Sequence, residues 1–388
     1  MNKAFGLPLH FNKSSLSIKY NPSTLFTSSL YNPLLSAGKQ QQPVLNRDVV
    51  HNLNKTKYSL IFLHGLFGSS ENWRLSNKLL LDKFNKHQQL DNSSIGNAYQ
   101  HNDNNTLDID LYSLDLRNHG GSPHSNEMTF DNINDDLSLF IHSNIYNQSN
   151  SSSDIDHKIV LVGHSMGGKS SMLYSLFNPT YVDGLVCVDV APSNYVGIHN
   201  HDSKFLSMFE ASKYFAQHDI DKKKIEDIME SFNLDKGERL YLLNNLVENN
   251  NNNSLDKYSW KLNVQTLYEY QNDMLSFPND IVNRVEPFHK KVLFIGGGDS
   301  HYLLPKYRGN IQYLFPNNEI HFIAGTGHFA HAQKPKTFVE YLYRYLFDLI
   351  TNNNNHIGIQ NSNNNHINLT NIDLSLMNNN NNNNNKQI

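Results

Sequence analysis

The sequence predicts an α/β fold: a mostly parallel sheet with helices on both faces and a helical segment inserted before the penultimate strand. Three observations predict it. Short, near-continuously apolar runs alternate with stretches of helical periodicity, the pattern of strands covered on both faces. One such run, Ile159-Val160-Leu161-Val162, passes directly into Gly163-His164-Ser165-Met166-Gly167 and then into a helix-like segment, Ser170 to Phe177. Between about Tyr195 and Pro287 the alternation stops, and apolar residues recur only at helical spacing.

Composition narrows the classes of function. The 388 residues carry a formal net charge of -4, which supplies neither a basic field for nucleic acid nor the acidic excess of a solvating tail. A small or neutral partner is therefore expected. The single cysteine, Cys187, excludes an internal disulfide and a cysteine-rich metal site. The 20 histidines are scattered, with no H-E-x-x-H or comparable pairing, so no metal and no cofactor is expected. His199 and His201 read as solvated loop residues rather than ligands. No apolar run approaches the roughly 18 residues of a membrane helix, so a soluble chain with no transmembrane segment is expected.

Taken in order, Met1 to Arg47 carries Lys3, Lys13, Lys19, Lys39 and Arg47, many hydroxyl side chains and no acid before Asp48. Base and hydroxyls without acid resemble an organellar transit segment, so residues 1–50 are expected to be transit-peptide-like or a disordered cytosolic extension. Tyr58 to Leu63 is a strand that ends in the glycine-rich turn His64-Gly65-Leu66-Phe67-Gly68, with Ser69 and Ser70 offering an N-cap. His64 is expected to hold that turn by hydrogen bonds. Residues 85–105 read as a polar surface insertion. Leu107 to Leu116 alternates as a strand, and the turn after it is expected to pair Arg117 with Asp115. Ile133, Leu137, Phe140, Ile141 and Ile145 then recur at helical spacing.

Gly184 to Pro192 is another buried strand, with Asp189 near its end. The helical insertion that follows, rich in Phe, Met and Leu, resembles a lid over an apolar cleft. Lys290 to Asp299 and Glu319 to His328 restore the sheet, and Thr337 to Ile350 closes it with an amphipathic helix. Asparagine dominates the remainder, which buries too little apolar surface to order. The expected organisation is thus a core over 51–195 and 286–350, a helical cap over 196–285, and a disordered tail over 351–388.

Glycines two before and two after Ser165 leave room for a strained strand-to-helix turn that lifts the hydroxyl clear of the backbone. Ser165 is the candidate nucleophile. A serine hydroxyl needs a base, and the base an orienting acid, in the chain order Ser, Asp or Glu, His. His328, in the tight Gly-Thr-Gly-His turn, is the candidate base and is preferred to His331, which falls inside a helix. Asp299 is the preferred acid, because Gly-Gly-Gly-Asp resembles the usual acid loop after the penultimate strand; Asp189 satisfies the same order and stays the alternative. The oxyanion donors are assigned to the amides of Leu66 and Met166, with Phe67 an alternative to Leu66. Each is expected to contribute about 10²–10³ in rate.

Several motifs carry a family resemblance. They are His64-Gly65-Leu66-Phe67-Gly68-Ser69, Arg117-Asn118-His119-Gly120 with Ser122-Pro123-His124, Val162 to Lys169, Leu242-Leu243-Asn244-Asn245-Leu246 and Trp260-Lys261-Leu262-Asn263. Together they resemble the abhydrolase domain-containing protein 11 family of α/β-hydrolase serine esterases, over about Tyr58 to Leu349. The resemblance implies the α/β-hydrolase fold, carries Ser165 and His328 over as nucleophile and base, and implies fatty-acyl ester or acylglycerol substrates. In that family Asn often stands at the position of Asp299 and the acid comes from the position of Asp189, so both aspartates stay open. Mitochondrial members make a mitochondrial location the expectation, with the cytoplasm the alternative; the sequence names no protein partner. The function expected is hydrolysis of a lipophilic carboxylic ester or thioester through an acyl-enzyme. The alternatives are a C–C bond hydrolase with the same triad, or a ligand-binding or scaffold protein that keeps the fold.

Overall fold

Alternation decides how the core divides. Along the strand Thr56–Leu63 (β2), Leu60 and Phe62 pack to one side of the sheet and Ile61 and Leu63 to the other, all of them buried. The computed structural model describes residues 6–19, 56–94, 106–147, 155–199, 201–217, 219–249, 255–278 and 280–353. Among these, β1 (Phe11–Lys19), β2, β3 (Thr106–Leu114), β4 (Asp156–His164) and β5 (Gly184–Val188) come first. A small hairpin, β6 (Leu246–Glu248) and β7 (Tyr258–Trp260), precedes β8 (Val292–Gly297) and β9 (Asn318–Ile323). The main sheet has the order β1-β3-β2-β4-β5-β8-β9, parallel throughout except for β1 against β3.

Helices cover both faces. Arg74–Ser94 (α1) and the C-terminal Pro335–Asn353 bury Leu80, Phe84, Phe338, Leu342 and Leu346 against one face. Phe130–Ile141 (α2) and Met166–Phe177 (α3) cover the other with Ile133, Leu137, Met172 and Leu173. The chain order reverses between β2 and β4, so the turns after these two strands face each other at the carboxyl edge of the sheet, where open α/β sheets bind ligands.

Two expectations are revised by the fold. Part of the first fifty residues, expected to be an extension, is an edge strand: Phe11–Lys19 pairs residue for residue with Leu114 to Thr106. Phe11 packs edge-on to Phe140 at 5.1 Å, the His10 amide donates to Ser122 Oγ at 2.8 Å, and His10 Nδ1 meets Asp115 Oδ2 at 2.8 Å. An edge strand buries only one of its faces, so this one needs few apolar residues and leaves little periodic signal. The polar insertion expected from residue 85 begins later, because α1 continues to Ser94. The rest of that insertion and the tail from residue 354 lie outside the described residues.

The turn after β3 is also built differently. Arg117 pairs with Asp136 on α2, both fully buried, through Nε and Nη2 at 2.7 Å each, rather than with Asp115. The Asp115 carboxylate instead accepts the amides of Ser70 at 2.6 Å and Gly121 at 2.8 Å. It thereby ties the turn after β2 to the turn after β3.

Above the carboxyl edge, Asp202–Ser212, Lys222–Glu230, Lys236–Leu243, the β6–β7 hairpin, Val264–Glu269 and Gln271–Leu275 form the insertion. The helical periodicity of that stretch accounts for its helices; strands of three residues are too short to show a period.

Candidate active site

The turn at Ser165 is forced by close packing. Ser165 has φ 52 and ψ -115, a left-handed conformation that costs a residue with a Cβ on the order of 1–3 kcal/mol. The strain persists because the neighbours leave no alternative: a Cβ on Gly163 would lie 2.4 Å from the Gly167 carbonyl oxygen, and one on Gly167 2.5 Å from that of Leu63. The Ser165 amide donates to Val188 O at 3.1 Å, which fixes the turn against β5. The hydroxyl is left half-buried at the sheet edge.

His328 Nε2 lies 3.0 Å from Ser165 Oγ, and His328 Nδ1 lies 2.7 Å from Asp189 Oδ2. A carboxylate only accepts, so Nδ1 carries the ring proton and Nε2 presents its lone pair to the serine hydroxyl. Asp189 stands just past β5 with φ 51, and its carboxylate is wholly buried. It accepts the Gly297 amide at 2.9 Å and the Ser300 hydroxyl. Asp299, the preferred acid on sequence grounds, is the one corrected by this geometry. Its side chain is exposed, and among the described residues only its backbone amide is engaged, donating to Thr326 O at 2.9 Å. The glycines before it serve close approach instead: a Cβ on Gly297 would sit 2.1 Å from the Gly327 carbonyl oxygen.

The imidazole is clamped from several sides. Tyr302 stacks on it at 3.8 Å with 21° between the planes, and His199 stacks on Tyr302 at 3.9 Å. His164, behind, meets the His328 carbonyl through Nε2 at 2.8 Å, and buried His331 packs against His164 at 4.6 Å. His199 and His201, expected to be solvated, therefore belong to the site; His201 packs edge-on to Phe67 at 6.0 Å. Ser300, Tyr302 and the two histidines carried no sequence signal of their own, because ring stacking and a hydroxyl donor have no fixed spacing.

Burial pushes the His328 imidazole down to about 3. Burial pushes the Asp189 carboxyl up to about 7, opposed by the hydrogen bonds from Ser300 and Gly297. The working state, neutral imidazole beside carboxylate, is thus reached as pH rises through the ionisation of the pair and is lost on acidification. Activity on an uncharged ester should fall below about pH 7 and stay level above it, measured as kcat/KM from about pH 5 to about pH 9. A rate that increases on acidification contradicts this assignment.

Among the described residues, neither the Leu66 amide nor the Met166 amide has a hydrogen-bond acceptor. The Phe67 amide is taken, donating to His119 Nε2 at 3.3 Å, which leaves Leu66 as the donor of that turn. His64 holds the turn, with Nδ1 on Gly65 O at 2.8 Å and Nε2 accepting the Leu116 amide at 3.0 Å. The insertion holds it from above: Tyr241 Oη donates to Leu66 O at 3.2 Å and Asn245 Nδ2 to Phe67 O at 2.9 Å. The cleft over Ser165 is walled by Leu66, Met166, Val190, Met274, Leu275 and Lys169, with about 20 Å³ of free space between them. A larger polar groove of about 540 Å³ lies between β1 and α1, away from Ser165 and His328, and holds none of this machinery.

A family model described as alpha/beta hydrolase fold matches residues 58–335. The chain belongs to the alpha/beta hydrolase fold family. The resemblance to the abhydrolase domain-containing protein 11 family is also borne out. The chain is 29% identical to the sn-1-specific diacylglycerol lipase ABHD11 of Mus musculus over 80% of its own length and 89% of the relative's. It is 28% identical to esterase YbfF of Escherichia coli K12 over 74% and 93% respectively. A solved marine microorganism esterase superimposes with a TM-score of 0.61 at 24% identity, covering 88% of this chain and all of that one, which supports the fold. This hydrolase sits among esterases and lipases, and the expectation of a carboxylic ester hydrolase is borne out at that level. No helix among the described residues is long and apolar enough to cross a membrane.

Proposed function

We propose that the protein hydrolyses a lipophilic carboxylic ester or thioester, of fatty-acyl ester, acylglycerol or acyl-CoA type, through an acyl-enzyme on Ser165. The observation that carries this reading is the relay from Ser165 Oγ through His328 to Asp189, at 3.0 and 2.7 Å, beside two amides with no acceptor. Ser165 Oγ attacks the carbonyl carbon while His328 Nε2 takes its proton. The Leu66 and Met166 amides hold the oxyanion. Collapse expels the alcohol or thiol, which takes the proton from His328, and water then repeats the sequence to release the acid. The apolar walls Leu66, Met166, Val190 and Met274 suit an acyl chain, and the mouse relative's name supports acylglycerols within the class.

The test is a panel of p-nitrophenyl esters, acyl-CoA thioesters and diacylglycerols of rising chain length. Turnover of at least one long-chain ester or thioester is expected. Turnover confined to a C–C substrate, or binding without turnover, would replace the reading.

A mitochondrial location is part of the proposal, supported by the acid-free stretch from Met1 to Arg47 read as a targeting segment that is retained rather than cleaved. Because β1 is paired along its whole length, Phe11–Lys19 should stay with the mature protein. N-terminal sequencing of the protein from its own cells should find a start before Phe11; a start beyond Lys19 contradicts this.

A further inference from the structure

Lys169 lies one turn into α3 behind the nucleophile, and it is buried. Its ammonium donates to the carbonyl oxygens of Leu275 and, at 2.8 Å, Ser276, and it sits 4.5 Å from the centre of the Tyr195 ring. Among the described residues no carboxylate lies within ion-pair distance of it. A buried ammonium without a counter-ion is costly, so a lysine is retained there only against strong local acceptors. Those acceptors share one location. The chain enters the insertion at Tyr195 and leaves it at Leu275 and Ser276, and the Tyr195 amide donates to Leu275 O at 2.9 Å. The lysine therefore fastens both strands of the insertion's neck to the helix that carries Ser165.

We propose that Lys169 is a positioning residue that latches this neck over Ser165 and thereby sets which acyl chains the cleft admits. The proposal rests on the ester-hydrolase reading and adds its chain-length selection. The atoms of the latch are also walls of the cleft: Lys169, Tyr195 and Leu275 all line it. With the neck down, the free space between these walls is about 20 Å³, that of a single water, so lifting the neck is what makes room for a chain of several methylenes between them. Apparent affinity for a long chain is then reduced by the small fraction of molecules with the neck raised, whereas a short acyl group escapes most of that penalty. The neck also reaches the base, since Tyr195 Oη donates to the carbonyl of Tyr302, whose ring lies on His328.

The experiment compares Lys169→Met, Lys169→Arg and the unchanged full-length chain on acetyl and dodecanoyl p-nitrophenyl esters. In Lys169→Met the ratio of the dodecanoyl KM to the acetyl KM should drop about five- to tenfold, while the two kcat values move together. Lys169→Arg should restore the original ratio. A Met variant whose two KM values move in parallel has lost packing only, and overturns the proposal. A second measurement needs no variant: hydrogen exchange at the Tyr195 amide after labelling with ethyl or dodecyl fluorophosphonate. Faster exchange with the dodecyl probe alone is expected, and equal exchange with both overturns the latch. If neither probe nor ester reacts, it is the hydrolase reading that fails. The unlabelled proteins then decide the latch, since Tyr195 must exchange faster in Lys169→Met than in the unchanged chain.

Discussion

Ser165→Ala should lower kcat for ester hydrolysis by about 10⁶-fold, leaving only the residual rate that the oxyanion amides and binding supply. The size of the effect follows from how little else at the site can attack a carbonyl. Ser165 Oγ is the hydroxyl within reach of His328 Nε2, at 3.0 Å. Ser300, another serine of the site, is committed as a donor to Asp189. The fold should tolerate the change, because the side chain of Ser165 makes no bond that builds the turn; its amide and carbonyl do, to Val188 and Lys169. Near-normal melting together with lost turnover is therefore the expected pair of results. An alanine variant that retains more than about a hundredth of the rate would mean that water or another group attacks directly.

Asp189→Asn should cost about 10⁴ in kcat, whereas Asp299→Asn should stay within a few-fold of the unchanged enzyme. The amide at position 189 can still accept from Gly297, but opposite His328 Nδ1 it selects the wrong ring tautomer and offers no charge to the imidazolium that forms. Asp299 is exposed, and its backbone amide rather than its carboxylate secures the loop. The comparison is decisive in kinetics: a large loss at 299 with little at 189 would reverse the assignment of the acid.

The difference between these two aspartates shows what was legible in the sequence. Ser165 and His328 stood out because each needs glycines around it: an elbow demands Gly163 and Gly167, and a tight turn precedes the histidine. The fold was legible for a similar reason, since strands buried on both faces leave continuous apolar runs and the insertion leaves helical ones. The acid was not, because its identity depends on which strand end lies beside the nucleophile strand. β5 is hydrogen-bonded to both β4 and β8, so Asp189 faces His328, and that adjacency is a property of sheet order rather than of local pattern. The three glycines before Asp299 misled for a physical reason. Gly297 and Gly298 admit the backbone of the segment that leads to His328, and Gly296 makes room for the Phe322 and Leu303 side chains, so they serve the base and the packing rather than the acid. Lys169 was visible only as the last residue of a motif. Its partners are backbone carbonyls more than a hundred residues away, at Leu275 and Ser276, which no spacing rule connects to it.

The most direct measurement is covalent labelling of the full-length protein with a fluorophosphonate, followed by mass spectrometry of the modified peptide. A serine activated as described should carry the phosphonyl group on Ser165 alone. Labelling should vanish in Ser165→Ala and slow strongly in His328→Ala. A protein that stays unlabelled under conditions where it is folded, or that is labelled on another serine, would contradict the account.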